Sequence, residues 1–292
     1  MQDLSLEPVN KYLEKNPREP VYLISYADGA DVFFQNQHFL VHSALNKGID
    51  HFLNYRRSHV NAQFIKDHQE IFDTPLGAGL WLWKPWVILE TLKNTPENAI
   101  IMYADVGFCF GGSLNQLWER LKDADMVMVY YQNWLTPDQC LKPKILAQHT
   151  IDESKFFKKG NFWAGFMVIR NNEKSRKFIK TWLDLCCKKN YLSGESFGPG
   201  KHLHDQAILY LAYALRDENI KIGYIKNTEL DQWLPWHHRK ETDKHQSLMP
   251  YLKKYFRAFE RIAWNVSGLS RLRYFYRNHV KTRLENITEK GC

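Results

Sequence analysis

The sequence predicts an α/β fold in which a mainly parallel sheet is flanked by helices. Short apolar segments end in turn residues, and helical patterns separate them along the chain. That alternation signals parallel pairing, because parallel neighbours need a crossover connection and a helix supplies it. With 292 residues, 44% of them hydrophobic, the chain can bury a substantial core and lies near the upper size of one domain. The expected division is one folded domain over residues 1–245 and a basic helical extension over 246–292.

Residues 21–26 form the first predicted strand, stopped by Ala27, Asp28 and Gly29. Over 37–47 the apolar Phe39, Leu40, Ala44 and Leu45 recur at helical spacing, and Gly48 closes the run. A strand over 51–55 completes a strand-helix-strand unit. Segments 99–103 and 126–130 read as further strands, with a helix over 114–122 between them. Residues 162–169 read as a buried strand, 173–188 as an amphipathic helix, 204–216 as another helix and 221–225 as a last short strand. Ligands of such sheets bind beyond the carboxyl ends of the strands, where Asp28 and Asp105 both fall.

Composition narrows the function classes. No run of about 18 apolar residues occurs, and residues 1–20 are polar without the apolar stretch of a signal peptide, so a cytosolic protein is expected. The five cysteines, Cys109, Cys140, Cys186, Cys187 and Cys292, show no CxxC spacing and read as reduced structural thiols. A formal charge of +8 points to a polyanionic partner, and the basic excess is concentrated after about residue 239.

Several segments combine residue types that chemistry needs. Between Gly77 and Trp86 lie a glycine pair, three tryptophans, Lys84 and Pro85. Backbone amides freed by Gly77 and Gly79, a helix start and the Lys84 charge would suit a diphosphate. A turn followed by a tryptophan-rich core helix is the alternative. Asp105 closes an apolar strand two residues before Gly107, so its carboxylate should emerge at the sheet edge beside room for a ligand. Asp205 opens a helix just ahead of Gln206 and the apolar Ala207, Ile208 and Leu209, where it reads either as a capping carboxylate or as an acceptor for a substrate proton.

Gly77-x-Gly79-x-Trp81-x-Trp83-Lys84-Pro85, followed by Tyr103-x-Asp105-x-Gly107, resembles the G-x-G-x-W-x-W-K-P and Y-x-D-x-G segments of bacterial GT-A-type glycosyltransferases, whose fold is Rossmann-like. The stretch 162–170, the helix 175–186 and His204-Asp205-Gln206 resemble later elements of that family in the same order. The likeness runs from about residue 21 to 240. It implies transfer of a sugar from a nucleotide diphosphate to a hydroxyl of a glycan or lipid-linked saccharide, as in synthesis of cell-surface polysaccharide or lipopolysaccharide. It also implies donor contacts from Tyr26, Asp28, Gly77, Gly79, Trp83, Lys84, Asp105 and Gln206, and catalytic roles for Asp105 and Asp205. Tyr26 would stack on the base, and Asp28 would accept from base or ribose. The family's Asp-x-Asp is reduced here to Asp105 and Gly107. Two roles for Asp105 therefore stand side by side, a ligand for Mn2+ or Mg2+ and a direct contact to the donor sugar or ribose. His237 and His238 fall where related families supply a late histidine to the metal, and one of the two would face the site because neighbours on an extended segment point opposite ways.

Beyond Pro250, aromatic and aliphatic residues recur three or four apart among cations, the pattern of a basic amphipathic helix lying on an anionic membrane surface. Packing on the domain is the competing reading, and no nucleic-acid partner is expected because no such module accompanies the cations. The expected location is cytoplasmic, peripheral on the inner face of a membrane. A nucleotide-sugar-binding protein without transfer activity, or a basic peripheral membrane or RNA-binding protein, are the rival functions.

Overall fold

A computed structural model describes residues 19–131, 136–149, 151, 160–194 and 204–230 of the chain. Its main elements are β1 (Val21–Tyr26), α1 (Asp31–Ala44), β2 (His51–Tyr55), α2 (Trp83–Lys93), β3 (Ile100–Ala104), α3 (Asn115–Leu121), β4 (Met126–Tyr131), β5 (Asn161–Arg170), α4 (Glu173–Cys186), α5 (His204–Ala214) and β6 (Ile222–Lys226). The strands make one six-stranded sheet in the order β2-β1-β3-β5-β4-β6. β1 runs parallel to β2 and β3, and β4 runs parallel to β6. β5 is antiparallel to both of its neighbours. The sheet is therefore mixed and mostly parallel, flanked by helices on both faces.

Alternation along the strands divides the interior into two layers. Val21 and Leu23 of β1 point to the side covered by Leu40 and Ala44 of α1 and Leu117 and Leu121 of α3, whereas Ile24 and Tyr26 point to the side covered by α2, α4 and α5. All five residues of β3 are buried, as a central strand covered on both faces requires. α4 buries Phe178, Ile179, Trp182, Leu185 and Cys186 at three- and four-residue spacing. Its first turn is capped by Asn172, whose side-chain oxygen accepts from the Ser175 amide at 2.9 Å.

The first helix starts at Asp31, six residues before the sequence pattern places it. The apolar residues that pattern uses lie in its second half. Asp31 in the first turn complements the positive helix end, a start signal independent of hydrophobic spacing. β5 carries an irregularity that no apolar pattern encodes. Met128 of β4 pairs with Met167 while Val129 pairs with Trp163, so residues 164–166 have no partners on β4. Phe166 pairs instead with Ala104 of β3. Bulges of this kind bend a strand and re-aim its side chains, and this one sits at the carboxyl end of β3. Among the described residues no helix is long and apolar enough to cross a membrane. The basic extension after residue 245 lies outside the described residues.

Candidate functional site

The carboxyl end of β3 delivers Asp105 into a buried cluster of charges. The Asp105 amide donates to the Gly165 carbonyl of the β5 bulge at 2.8 Å, which fixes the residue directly beyond the strand. Tyr103, fully buried two residues earlier, donates its hydroxyl to Asp105 Oδ1 at 2.5 Å. Lys84 Nζ lies 3.4 Å from the same oxygen and 3.1 Å from Asp205 Oδ2. One ammonium thus bridges two carboxylates that are 121 positions apart from it at the farther end and 21 at the nearer, and all three side chains are buried. The Lys84 ammonium also lies 5.6 Å from the ring centre of Tyr103 and 5.8 Å from that of Trp83, within cation–π range. Carboxylates outnumber the cation, and burial, opposed by Lys84 and helped by the neighbouring Asp105 charge, raises the pKa of the Asp205 carboxyl above its ordinary value.

An unusual turn brings Lys84 there. Residues 77–81 all have positive φ: Gly77 61°, Ala78 51°, Gly79 98°, Leu80 53° and Trp81 61°. Left-handed backbone costs a non-glycine residue about 1–2 kcal/mol, so Ala78, Leu80 and Trp81 hold local strain that surrounding packing must offset. Gly77 is required for close approach as well as for φ, since a Cβ there would fall 2.4 Å from the Trp81 ring. The amides of Ala78, Gly79, Leu80, Trp81 and Leu82 donate to the carbonyls of Pro75, Thr74, Leu76, Gly77 and Gly79. Of the two glycine amides expected to meet a diphosphate, that of Gly79 closes the turn instead. Lys84, expected to add charge to the same site, is a buried partner of two carboxylates. The turn's product is direction, because it swings the chain so that α2 begins with Trp83 and Lys84 pointing inward.

Asp205 is set by α5 and α4 together. Trp182 Nε1 of α4 donates to the Asp205 carbonyl at 2.9 Å. His204 takes φ 48° at the helix start, and its Nδ1 lies 2.8 Å from the Leu192 carbonyl. The His204 ring lies 5.6 Å from that of Trp81, which ties the left-handed turn to the start of α5. Gln206 is buried next to Asp205, and its Nε2 has no hydrogen-bond partner among the described residues.

The remaining expected residues divide between packing and the site rim. Tyr26 stacks on Trp83 with ring centres 3.9 Å apart and is buried, as is Trp83, whose Nε1 donates to the Gly77 carbonyl at 2.9 Å. With one face of its ring covered and almost no exposed surface, Tyr26 packs the core under the rim and offers no platform for a base, which corrects that expectation. Asp28 is half-buried at the end of β1 and accepts from the Tyr26 hydroxyl at 3.3 Å. His237 and His238 lie outside the described residues.

Asp105, already bound by a tyrosine hydroxyl and an ammonium, is a poor fit for a divalent ligand. Among the described residues no group of three or more histidine, cysteine or acidic side chains could hold a metal ion.

Other residues, two of them in segments that carry the family resemblance, also reach this edge. Tyr103 is one, and its strand position two residues before Asp105 is the signal that places it on the same face. Trp163 is another: half-buried in β5, it lies against Gly165, where a Cβ would come within 2.6 Å of the indole, and it touches Phe108 and Tyr131 edge-on or tilted. Arg57, just past β2, stands on the Phe72 ring with its guanidinium carbon 5.3 Å from the ring centre.

No family model matches the chain, and no curated protein sequence does. Solved structures similar to it include mouse xyloside xylosyltransferase 1 in its apo form, at 11% identity and a TM-score of 0.42, over 70% of this chain and 85% of that one. A glycosyltransferase involved in glycosylation of the major capsid of PBCV-1 is similar at 8% identity and a TM-score of 0.47, over 78% of this chain and 98% of that one. Glucosyl-3-phosphoglycerate synthase from Mycobacterium tuberculosis, in complex with Mn2+, uridine-diphosphate-glucose and phosphoglyceric acid, is similar at 11% identity and a TM-score of 0.37, over 77% and 75% of the two chains.

Proposed function

We propose that this chain is a glycosyltransferase that moves a sugar from a nucleotide-diphosphate donor to a hydroxyl of a glycan or lipid-linked saccharide. The observation that supports the reading is convergence. Three segments that resemble glycosyltransferase motifs, around Lys84, Asp105 and Asp205, meet through two salt bridges in one buried cluster at the carboxyl edge of the sheet. Separate packing roles for three such segments give no reason for their charged side chains to meet away from water, where unpaired charge is costly.

In this reading the acceptor oxygen bonds to the anomeric carbon, the bond from that carbon to the diphosphate oxygen breaks, and its electron pair leaves on the diphosphate. The acceptor proton passes to the ionised Asp205 carboxylate, whose raised pKa makes it the stronger proton acceptor. Lys84 keeps the two carboxylates in place through its two salt bridges. Asp105 contacts the donor sugar or ribose, and Gln206 Nε2 supplies a buried donor for the same ligand. The half-buried indole of Trp163 offers the acceptor sugar an apolar face at the β5 bulge. A basic membrane-binding role for residues 246–292 belongs to the same proposal, since a lipid-linked acceptor would sit at a membrane surface.

A panel of nucleotide sugars screened for thermal stabilisation, with Mn2+ and with chelator, tests the reading, because a ligand of the folded state raises its melting temperature by mass action. One donor should stabilise the wild type, Asp105→Ala should lose that response, and a chain ending at residue 245 should keep it while losing binding to anionic vesicles. Stabilisation by no nucleotide sugar under either condition would overturn the proposal. Donor binding without transfer to any acceptor or to water would leave a nucleotide-sugar-binding protein instead.

A further inference from the structure

The Gly79 amide donates within the turn and the Lys84 ammonium bridges two carboxylates, so both already have partners. A nucleoside diphosphate at the carboxyl edge still needs a cation. The segment after β2 holds two, Arg56 and Arg57, and they are not equivalent. Tyr55, the last residue of β2, is the register partner of Tyr26, and its carbonyl accepts from the Ala27 amide at 3.1 Å. Both arginines therefore leave the sheet beside the Tyr26–Asp28 end of β1. Arg56 has extended backbone, φ −135° and ψ 165°, so the two side chains part to opposite faces.

Arg56 turns to the α1 side. Its guanidinium carbon lies 4.8 Å from the Phe34 ring centre, and its Nη1 donates to the Tyr55 carbonyl at 3.0 Å and to Gln37 Oε1. Gln37 is fully buried and passes the chain on by donating to Ser25 Oγ at 2.9 Å. That arginine is a structural strut. Arg57 turns to the side of Phe72, Tyr26 and Trp83. Its one side-chain hydrogen bond within the described residues is a long one, from Nη1 to the Phe72 carbonyl at 3.4 Å. Among the described residues it forms no ion pair with a carboxylate. Half-buried, with its guanidinium carbon 5.3 Å from the Phe72 ring centre, Arg57 keeps Nε and Nη2 without a hydrogen-bond partner among the described residues. Its charge reaches the Tyr26 hydroxyl, whose raised pKa it opposes.

We infer that Arg57 binds a phosphoryl oxygen pair of the nucleoside diphosphate donor, serving as the phosphate anchor on the α2 side of the sheet. The inference rests on the glycosyltransferase reading and deepens it. A guanidinium fork matches phosphate oxygens bidentately, and stacking on Phe72 fixes its orientation before ligand arrives, so less side-chain freedom is lost on binding.

Dissociation constants for the four common nucleoside diphosphates, measured by calorimetry on the whole chain, provide the test. Arg57→Met keeps the stem on Phe72 and removes the charge, and Arg56→Met removes the same charge one residue away on the opposite face. The bound diphosphate should weaken by about 10- to 100-fold in Arg57→Met, the range of a lost charged hydrogen bond, with partial recovery in Arg57→Lys and a change under about twofold in Arg56→Met. Melting temperatures without ligand report whether each variant is folded. Wild-type affinity retained in Arg57→Met, or equal weakening in both methionine variants, overturns the assignment while the glycosyltransferase reading stands. No binding of any nucleoside diphosphate to the wild type overturns both.

Discussion

Asp205 carries the sharpest consequence for a single residue. Burial, the largest influence on it, raises the pKa of its carboxyl in the folded protein, against the pull of Lys84. A carboxyl whose folded pKa lies above its unfolded value binds protons more tightly when folded. Its contribution to stability is then fully present below the ordinary value of 3.8 and is lost as pH rises through the raised folded value. The wild type minus Asp205→Asn difference in unfolding free energy should accordingly fall with rising pH across that window and be flat above it. Denaturant titrations over the acid range measure it, and a difference that grows with pH would reverse the assignment. The residue types of the site were legible: Asp105, Asp205, Lys84 and Gln206 all stand at the carboxyl edge. Their mutual use was not. Sequence gives Lys84 no partner, because the two carboxylates that take its charge come from elements 21 and 121 positions away. Arg57 has no sequence signal for a related reason, since two adjacent arginines after a strand look alike until their different partners are seen.

Elements were readable where hydrophobic period and turn residues agreed. β1 and β2 fall where their apolar runs place them, and the ends of α3 and α5 differ from expectation by at most two residues. The orientation of β5 was not readable, because an apolar run buried on both faces looks the same in either direction. Nor was the turn at 77–81, whose glycines suggest freedom where the backbone is instead wound into five consecutive left-handed residues. That element makes its own prediction. Gly77→Ala combines a φ of 61° with a Cβ 2.4 Å from the Trp81 ring, and left-handed strain plus overpacking sum to about 2–4 kcal/mol. Urea unfolding should record a loss of that size, together with loss of donor binding, because the same turn aims Lys84. A variant with wild-type stability would show that the turn relaxes easily and does not hold α2 in place.

At the scale of the whole molecule, the sheet is two parallel blocks, β2-β1-β3 and β4-β6, joined by one antiparallel strand. The charged cluster sits over that join, with Lys84 and Asp105 belonging to the first block and Asp205 to α5, the helix that leads into β6. Removing the lysine leaves two buried carboxylates uncompensated. Lys84→Met alone should destabilise the protein by about 3–5 kcal/mol. Replacing all three together by apolar residues of similar volume should restore stability to the wild-type level or above it, since well-packed apolar groups commonly match or exceed a buried ion cluster. Chemical denaturation of the single and triple variants decides the point, and a triple variant no more stable than Lys84→Met would refute it.

That cluster also shapes how such a chain can change over generations. A lineage that lost the proposed chemistry would meet an order of loss: shedding the lysine first leaves two buried carboxylates without their cation, whereas shedding one aspartate first leaves a one-to-one pair. The lysine is therefore expected to persist wherever both aspartates do, and a descendant that keeps all three without transfer would be retaining them for its fold alone.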